Sequence, residues 1–171
     1  LLSKTAKTSL VITKTKPDSD AILTEKDVSD LVRDLKNADR GISGRSSHAL
    51  TQLGPKAKEA TPYLIELFND KDQYVRATAA RILGHIGREA KPSVPVLVKS
   101  LSDQDSDVRF NVAEALVNID STAKRAVPVL LQALDGGNPD HRIRAARALG
   151  RVLPVSRKII SGLAKATGEQ W

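Results

Sequence analysis

A step of 33 residues runs through most of this chain. Leu31, Leu64, Leu97 and Leu130 keep it, and so do Leu35, Phe68, Leu101 and Leu134. Leu50, Leu83, Leu116 and Leu149 form a third such column; Arg76, Arg109 and Arg142 form a fourth, and Pro62, Pro95 and Pro128 a fifth. Many columns sharing one interval require a supersecondary unit that recurs. A core packed only once has no reason to space its residues evenly.

Each unit reads as two helices. In the second unit Leu64, Ile65 and Phe68 make the apolar side of a first helix. Val75, Ala79, Ile82, Leu83 and Ile86 then fall on one face of a second. The Asn-Asp-Lys-Asp stretch 69–72 between them is a turn, with Asp72 placed to cap the second helix. The third unit repeats the scheme with Leu97, Val98 and Leu101, a Ser-Asp-Gln-Asp turn, and Val108, Val112, Ala115, Leu116 and Ile119. Gly54 and Gly87 stand where second helices should end, in a left-handed position that glycine fills at least cost. The column of Pro62, Pro95 and Pro128 belongs near the start of each first helix, where a missing N–H is harmless.

One hairpin of this size cannot bury its own apolar face, but stacked neighbours can. The expected fold is therefore all-α: an alpha-alpha superhelix, or solenoid, of about four and a half helical hairpins. Composition agrees, because aromatics are only 3% and the apolar residues are mainly Leu, Val, Ile and Ala, which suit closely packed thin helices. Ala80, Ala113 and Ala146 fit a point where the two helices of a unit approach. The boundaries read as a basic N-terminal tail over 1–20 and a repeat domain over 21–171. Within that domain the units span about 24–60, 61–90, 91–123 and 124–153, with a partial unit over 154–171. Gly41 and Gly44 make the first unit degenerate, and the fourth puts Leu153 and Pro154 where glycine would end the helix. The tail carries Lys4, Lys7, Lys14 and Lys16 with no acid before Asp18. It is expected to be a mobile segment, or an arm that orders on a partner.

The segments DQYVRATAARILGHIG (72–87) and DSDVRFNVAEALVNID (105–120), each leading on to Val-Pro-Val, resemble the short HEAT-like repeats first recognised in phycobilisome lyases. Neither the Thr-Pro-Leu-His motif of ankyrin repeats nor the aromatic landmarks of tetratricopeptide repeats is present. The resemblance covers roughly residues 24–153. It implies a right-handed superhelix whose second helices line the concave face. It implies little about function, because such arrays serve many roles.

Aligned on the period, the second helices carry a polar stripe at i, i+3 and i+7. It reads Arg45, His48 and Gln52; Thr78, Arg81 and His85; Asn111, Glu114 and Asn118; and Arg144, Arg147 and Arg151. Helices packed about 8–10 Å apart would spread these four rungs over roughly 30 Å, a span that suits a protein helix or loop. Solvated helix faces would look the same in sequence. The stripe is uneven in charge: from His141 to Lys158 there are five Arg and one Lys but no carboxylate. The repeated Arg76, Arg109 and Arg142 are expected to be architectural, their heads bonding turn groups such as Asp72 or Asp105. Arg144, Arg147 and Arg151 break the repeat and are expected to meet an acidic partner surface. The net charge of +7 points the same way.

Catalytic chemistry is hard to place. No Cys is present, and His48, His85 and His141 are the only histidines. None of the three begins a His-Glu pair, so neither a thiolate site nor the iron site of HEAT-repeat hydroxylases can be built. The turn carboxylates Asp70, Asp72, Asp103 and Asp105 read as caps, and no Gly-x-Ser-x-Gly elbow or phosphate loop occurs. No apolar run is long enough for a membrane span. The expectation is a non-catalytic protein-interaction scaffold with no cofactor and no metal, binding another protein. Two alternatives stand beside it. A basic groove could track a nucleic-acid backbone, although Phe110 is the only aromatic near the stripe. The resemblance also allows a bilin-lyase-like or phycobiliprotein-associated role. Neither the oligomeric state nor the compartment can be read from the sequence.

Overall fold

The structure, a computed structural model, describes residues 25–120, 124–136 and 138–152. Within them lie four hairpins. Helices α1 (Glu25–Asp34) and α2 (Arg40–Leu53) form the first, and α3 (Thr61–Glu66) and α4 (Gln73–Ile86) the second. Helices α5 (Val94–Ser100) and α6 (Ser106–Ile119) form the third, and α7 (Val127–Asp135) and α8 (Pro139–Leu149) the fourth. Stretches of 3₁₀-helix over Gly54–Ala60, Gly87–Ser93 and Lys124–Ala126 link one hairpin to the next. The basic segment 1–20, the partial unit 154–171, Leu153 and Gly137 lie outside the described residues.

Local chemistry sets these boundaries. Each second helix opens on a capping side chain at one repeat position: Asp39, Asp72, Asp105 and Asn138 all accept backbone N–H bonds from the first turn. Asp105 accepts two, from Asp107 and Val108. Pro62, Pro95 and Pro128 sit at the first or second position of α3, α5 and α7. Gly54 and Gly87 end α2 and α4 at φ values of 51° and 68°. Their ψ values of −126° and −137° differ from the left-handed helical geometry expected of them. This is a mirror-extended backbone that side-chain-bearing residues avoid even more strongly.

The periodic leucines meet in one continuous core. Leu35, Leu64, Leu97 and Leu130 are fully buried, and Leu50, Leu83, Leu116 and Leu149 are within 1% of it. Each such side chain contributes about 1.5–3 kcal/mol relative to exposure. The second helices stack in chain order, α2 on α4, α4 on α6 and α6 on α8. At the central junction a Cβ added to Gly84 would stand 3.1 Å from Ala115 Cα, so α4 and α6 approach closely there. Ala80 and Ala113 are fully buried as their column suggested, while Ala146 is half-buried.

The arginine column is architectural and its heads bond turn groups as expected, though not the Asp72 and Asp105 side chains. Among the described residues the Arg76 guanidinium does not bond the Asp72 side chain, nor the Arg109 guanidinium that of Asp105; only their backbone N–H groups donate to those residues' carbonyls. Each arginine instead turns back on carbonyls of its own hairpin turn: Arg76 Nη1 on Asp70 (2.9 Å), Arg109 Nη1 on Asp103 (2.8 Å) and Arg142 Nη1 on Gly136 (3.1 Å). Arg76 also spans to the next unit, where its Nε and Nη2 donate to both carboxylate oxygens of Asp103 at 2.8 and 2.9 Å. One unit earlier, Arg40 takes the carboxylate of Asp72 and Lys36 that of Asp70. A ladder of ion pairs thus ties the turns of the first three units together.

Candidate functional site: a groove along the second helices

Because the second helices stack side by side, their outer faces line a shared open groove of about 1220 Å³. Eight residues of the stripe line it: Arg81, His85, Asn111, Glu114, Asn118, Arg144, Arg147 and Arg151. The other four do not. Arg45, His48 and Gln52 are exposed on α2, and Thr78 is 4% exposed beneath the surface of α4. Arg88 joins the lining from the start of the 3₁₀ link. It is three residues beyond His85, so extending the i+3 rule by one step would have found it. Gly84 and Gly150 bring bare backbone to the groove wall.

Part of the stripe is bonded to itself. Arg81 donates to Ser47 Oγ on the preceding unit at 2.6 Å. Arg144 is the most engaged side chain of the stripe. It pairs with Glu114 on α6, bonds Asn111 Oδ1 at 3.1 Å, reaches Asp140 at 3.2 Å and lies 4.9 Å from the centre of the Phe110 ring. Burial works against the Arg144 charge, yet Glu114 and then Asp140 raise its pKa above the ordinary arginine value. The expectation that Arg144 lacks a structural role is therefore corrected: it cross-links α6 and α8. Phe110 is only 2% exposed, with His141 stacked on it at 4.0 Å, so it offers no open face to a base or a peptide.

What remains outward is cationic. Arg147 and Arg151 are exposed, and among the described residues the Arg151 side chain makes one bond, from Nε to the Arg147 carbonyl at 3.4 Å. Arg88 and His85 are exposed on the opposite wall. The lining holds five Arg against one Glu, leaving four positive charges, and that Glu is already paired. On the floor, Asn118 Oδ1 is buried and has no protein donor. Among the described residues no group of three or more His, Asp or Glu gathers as a metal site would require, and no helix is long and apolar enough to cross a membrane.

A stack of such hairpins with capped second helices is a HEAT-type solenoid. The HEAT repeats family model matches residues 61–150, just over half of the chain, and the chain belongs to that family. No curated protein sequence matches it. Among solved structures, it is similar to an engineered protein from a structural genomics consortium, with 26% identity and a TM-score of 0.54 over 83% of this chain and 68% of that one. It is also similar to a designed armadillo repeat protein in complex with the peptide (KR)4, with 18% identity and a TM-score of 0.54 over 83% of this chain and 71% of the other. The phycocyanin lyase complex of CpcE and CpcF from Nostoc sp. is more distant, with 22% identity and a TM-score of 0.48 over 91% and 68% of the two chains. A likeness that distant carries no argument about function.

Proposed function

We propose that this chain is a non-catalytic interaction scaffold whose groove holds an acidic, extended or helical segment of a partner protein. The observation that carries this reading is the surplus of guanidinium groups in one open groove, with Arg147 and Arg151 exposed and, among the described residues, bonded to no carboxylate. Charge-assisted bonds from arginine to carboxylate are short and directional, so they set register as well as attraction. The armadillo design of similar fold is solved with a basic peptide; the groove here is itself basic and suits an acidic one.

Fluorescence anisotropy with a labelled Glu-rich peptide, a Lys-rich peptide and a short DNA duplex tests the reading. The Glu-rich peptide should bind, the Lys-rich one should not, and R147E/R151E should abolish binding while far-UV circular dichroism stays helical. Arg144 is left intact because reversing it would break the link to Glu114. Undiminished peptide binding by R147E/R151E would overturn the assignment. Tighter binding of the duplex, collapsing steeply as salt rises, would replace it with phosphate-backbone binding.

A further inference from the structure

Across the turn edge of the molecule, the ion-pair ladder stops one rung early. Positions 70, 103 and 136 are equivalent in the repeat, and they hold Asp, Asp and Gly. The backbone does not explain the change, since Gly136 has φ −73° and ψ 160°, close to the −72° and 141° of Asp70. Space is tight but not closed: a Cβ added to Gly136 would stand 3.3 Å from the Ala133 carbonyl oxygen, which would have to give by a few tenths of an ångström. The backbone conformation admits an aspartate, yet the unit lacks it.

The consequence falls on Arg109. It is held as Arg76 is, with Nη1 on the Asp103 and Gln104 carbonyls at 2.8 and 2.9 Å. Those two bonds match the ones that Arg76 makes to Asp70 and Lys71. In Arg76 the remaining Nε and Nη2 edge grips Asp103, but among the described residues no carboxylate takes that edge of Arg109. Arg109 acts on the Asp103 carboxylate as a neighbouring charge, its bond being to the Asp103 carbonyl. In place of the missing carboxylate is a cavity of about 250 Å³, lined by Arg109, Gly136, Gln132, Ala133 and Asn138 among others. Asp107 supplies the only carboxylate of that lining, and it is 66% exposed, with its oxygen 3.9 Å from His141 Nε2.

We propose that this cavity receives the carboxylate of a partner protein's Asp or Glu side chain, which completes on Arg109 the two-pronged pair that Asp103 makes with Arg76. A guanidinium fork already oriented by two carbonyls loses little further freedom when it binds, which favours a planar carboxylate over a spherical anion. The cavity shares no lining residue with the groove, so the site does not rest on the groove's assignment.

The test is a nuclear magnetic resonance titration of the ¹⁵N-labelled chain with a blocked glutamate tripeptide, its glutamine counterpart and inorganic phosphate. The glutamate peptide should shift the Arg109 Nε–H and Gly136 amide signals, and the glutamine peptide should not. G136D supplies the carboxylate internally, so it should raise the melting temperature and weaken peptide binding by about tenfold or more, whereas G136N should weaken it far less. R109Q should abolish the Gly136 shift and guards against a G136D chain that misfolds. Equal shifts with the glutamine peptide, tighter binding of phosphate, or undiminished binding to G136D or R109Q would overturn the proposal.

Discussion

Arg76 grips Asp103 with two parallel bonds of 2.8 and 2.9 Å across 27 residues, joining the turn of the second repeat to that of the third. Both side chains are largely shielded, at 14% and 13% exposure. The pair therefore acts in a lower dielectric than an ordinary surface ion pair. Replacing Asp103 by Asn keeps the turn bond to the Asp105 N–H but removes the charge. D103N should cost about 2 kcal/mol of stability in chemical denaturation, within the range for breaking a partly buried pair. A change below about 0.5 kcal/mol would mean the ladder is ornamental.

Acid should expose the same ladder. The Arg76 bond holds the Asp103 carboxyl below its ordinary value of 3.8, the Arg40 bond does so for Asp72, and a backbone N–H from Asp72 does so for Asp70. A carboxylate with a depressed folded pKa adds stability above its unfolded value of about 3.9, and that stability is lost as pH falls through the folded value. The melting temperature should thus drop as pH goes below about 4. It should drop less steeply in D103N; identical slopes would rule Asp103 out as a contributor.

Removing a cap should act on one helix at a time. D105A should cost about 1 kcal/mol, the usual loss for an N-cap acid, and at least as much as D39A. Asp105 accepts from two first-turn amides and Asp39 from one. Hydrogen exchange should show fraying confined to the first turn of α6. Unchanged protection there would contradict the capping role.

Glycine at position 87 is required by backbone geometry and not by space. An added Cβ would meet nothing within 4 Å, yet φ is 68° and ψ is −137°. G87A should lower stability by about 1–3 kcal/mol with no loss of packed volume. A neutral result in thermal melts would show that the link relaxes without strain.

The fold was legible because the periodic leucines and the caps act within one unit. Asp72 could be read as a cap from the two residues that follow it. What escaped were contacts set by how units stack. The partner of Arg76 lies in the next turn, and a period gives the repeat distance without the offset between neighbours. The same offset hides the pairing of Arg144 within the chain, although Glu114 stands one rung away in the same stripe with the opposite charge. Gly84 gave no sequence signal of its close approach to Ala115, since a helix-interior glycine is as often tolerated as required. Eight of the twelve stripe residues line the groove. The stripe's α2 rung stayed outside because the groove is centred on α4, α6 and α8.

The groove as an acidic-segment site is tested most directly by a Glu-rich peptide carrying a paramagnetic label, titrated into the ¹⁵N-labelled chain. Line broadening should centre on α4, α6 and α8, strongest at His85, Asn118, Arg147 and Arg151, and should vanish in R147E/R151E. Broadening centred on α3, α5 and α7, or unchanged in that variant, would contradict it.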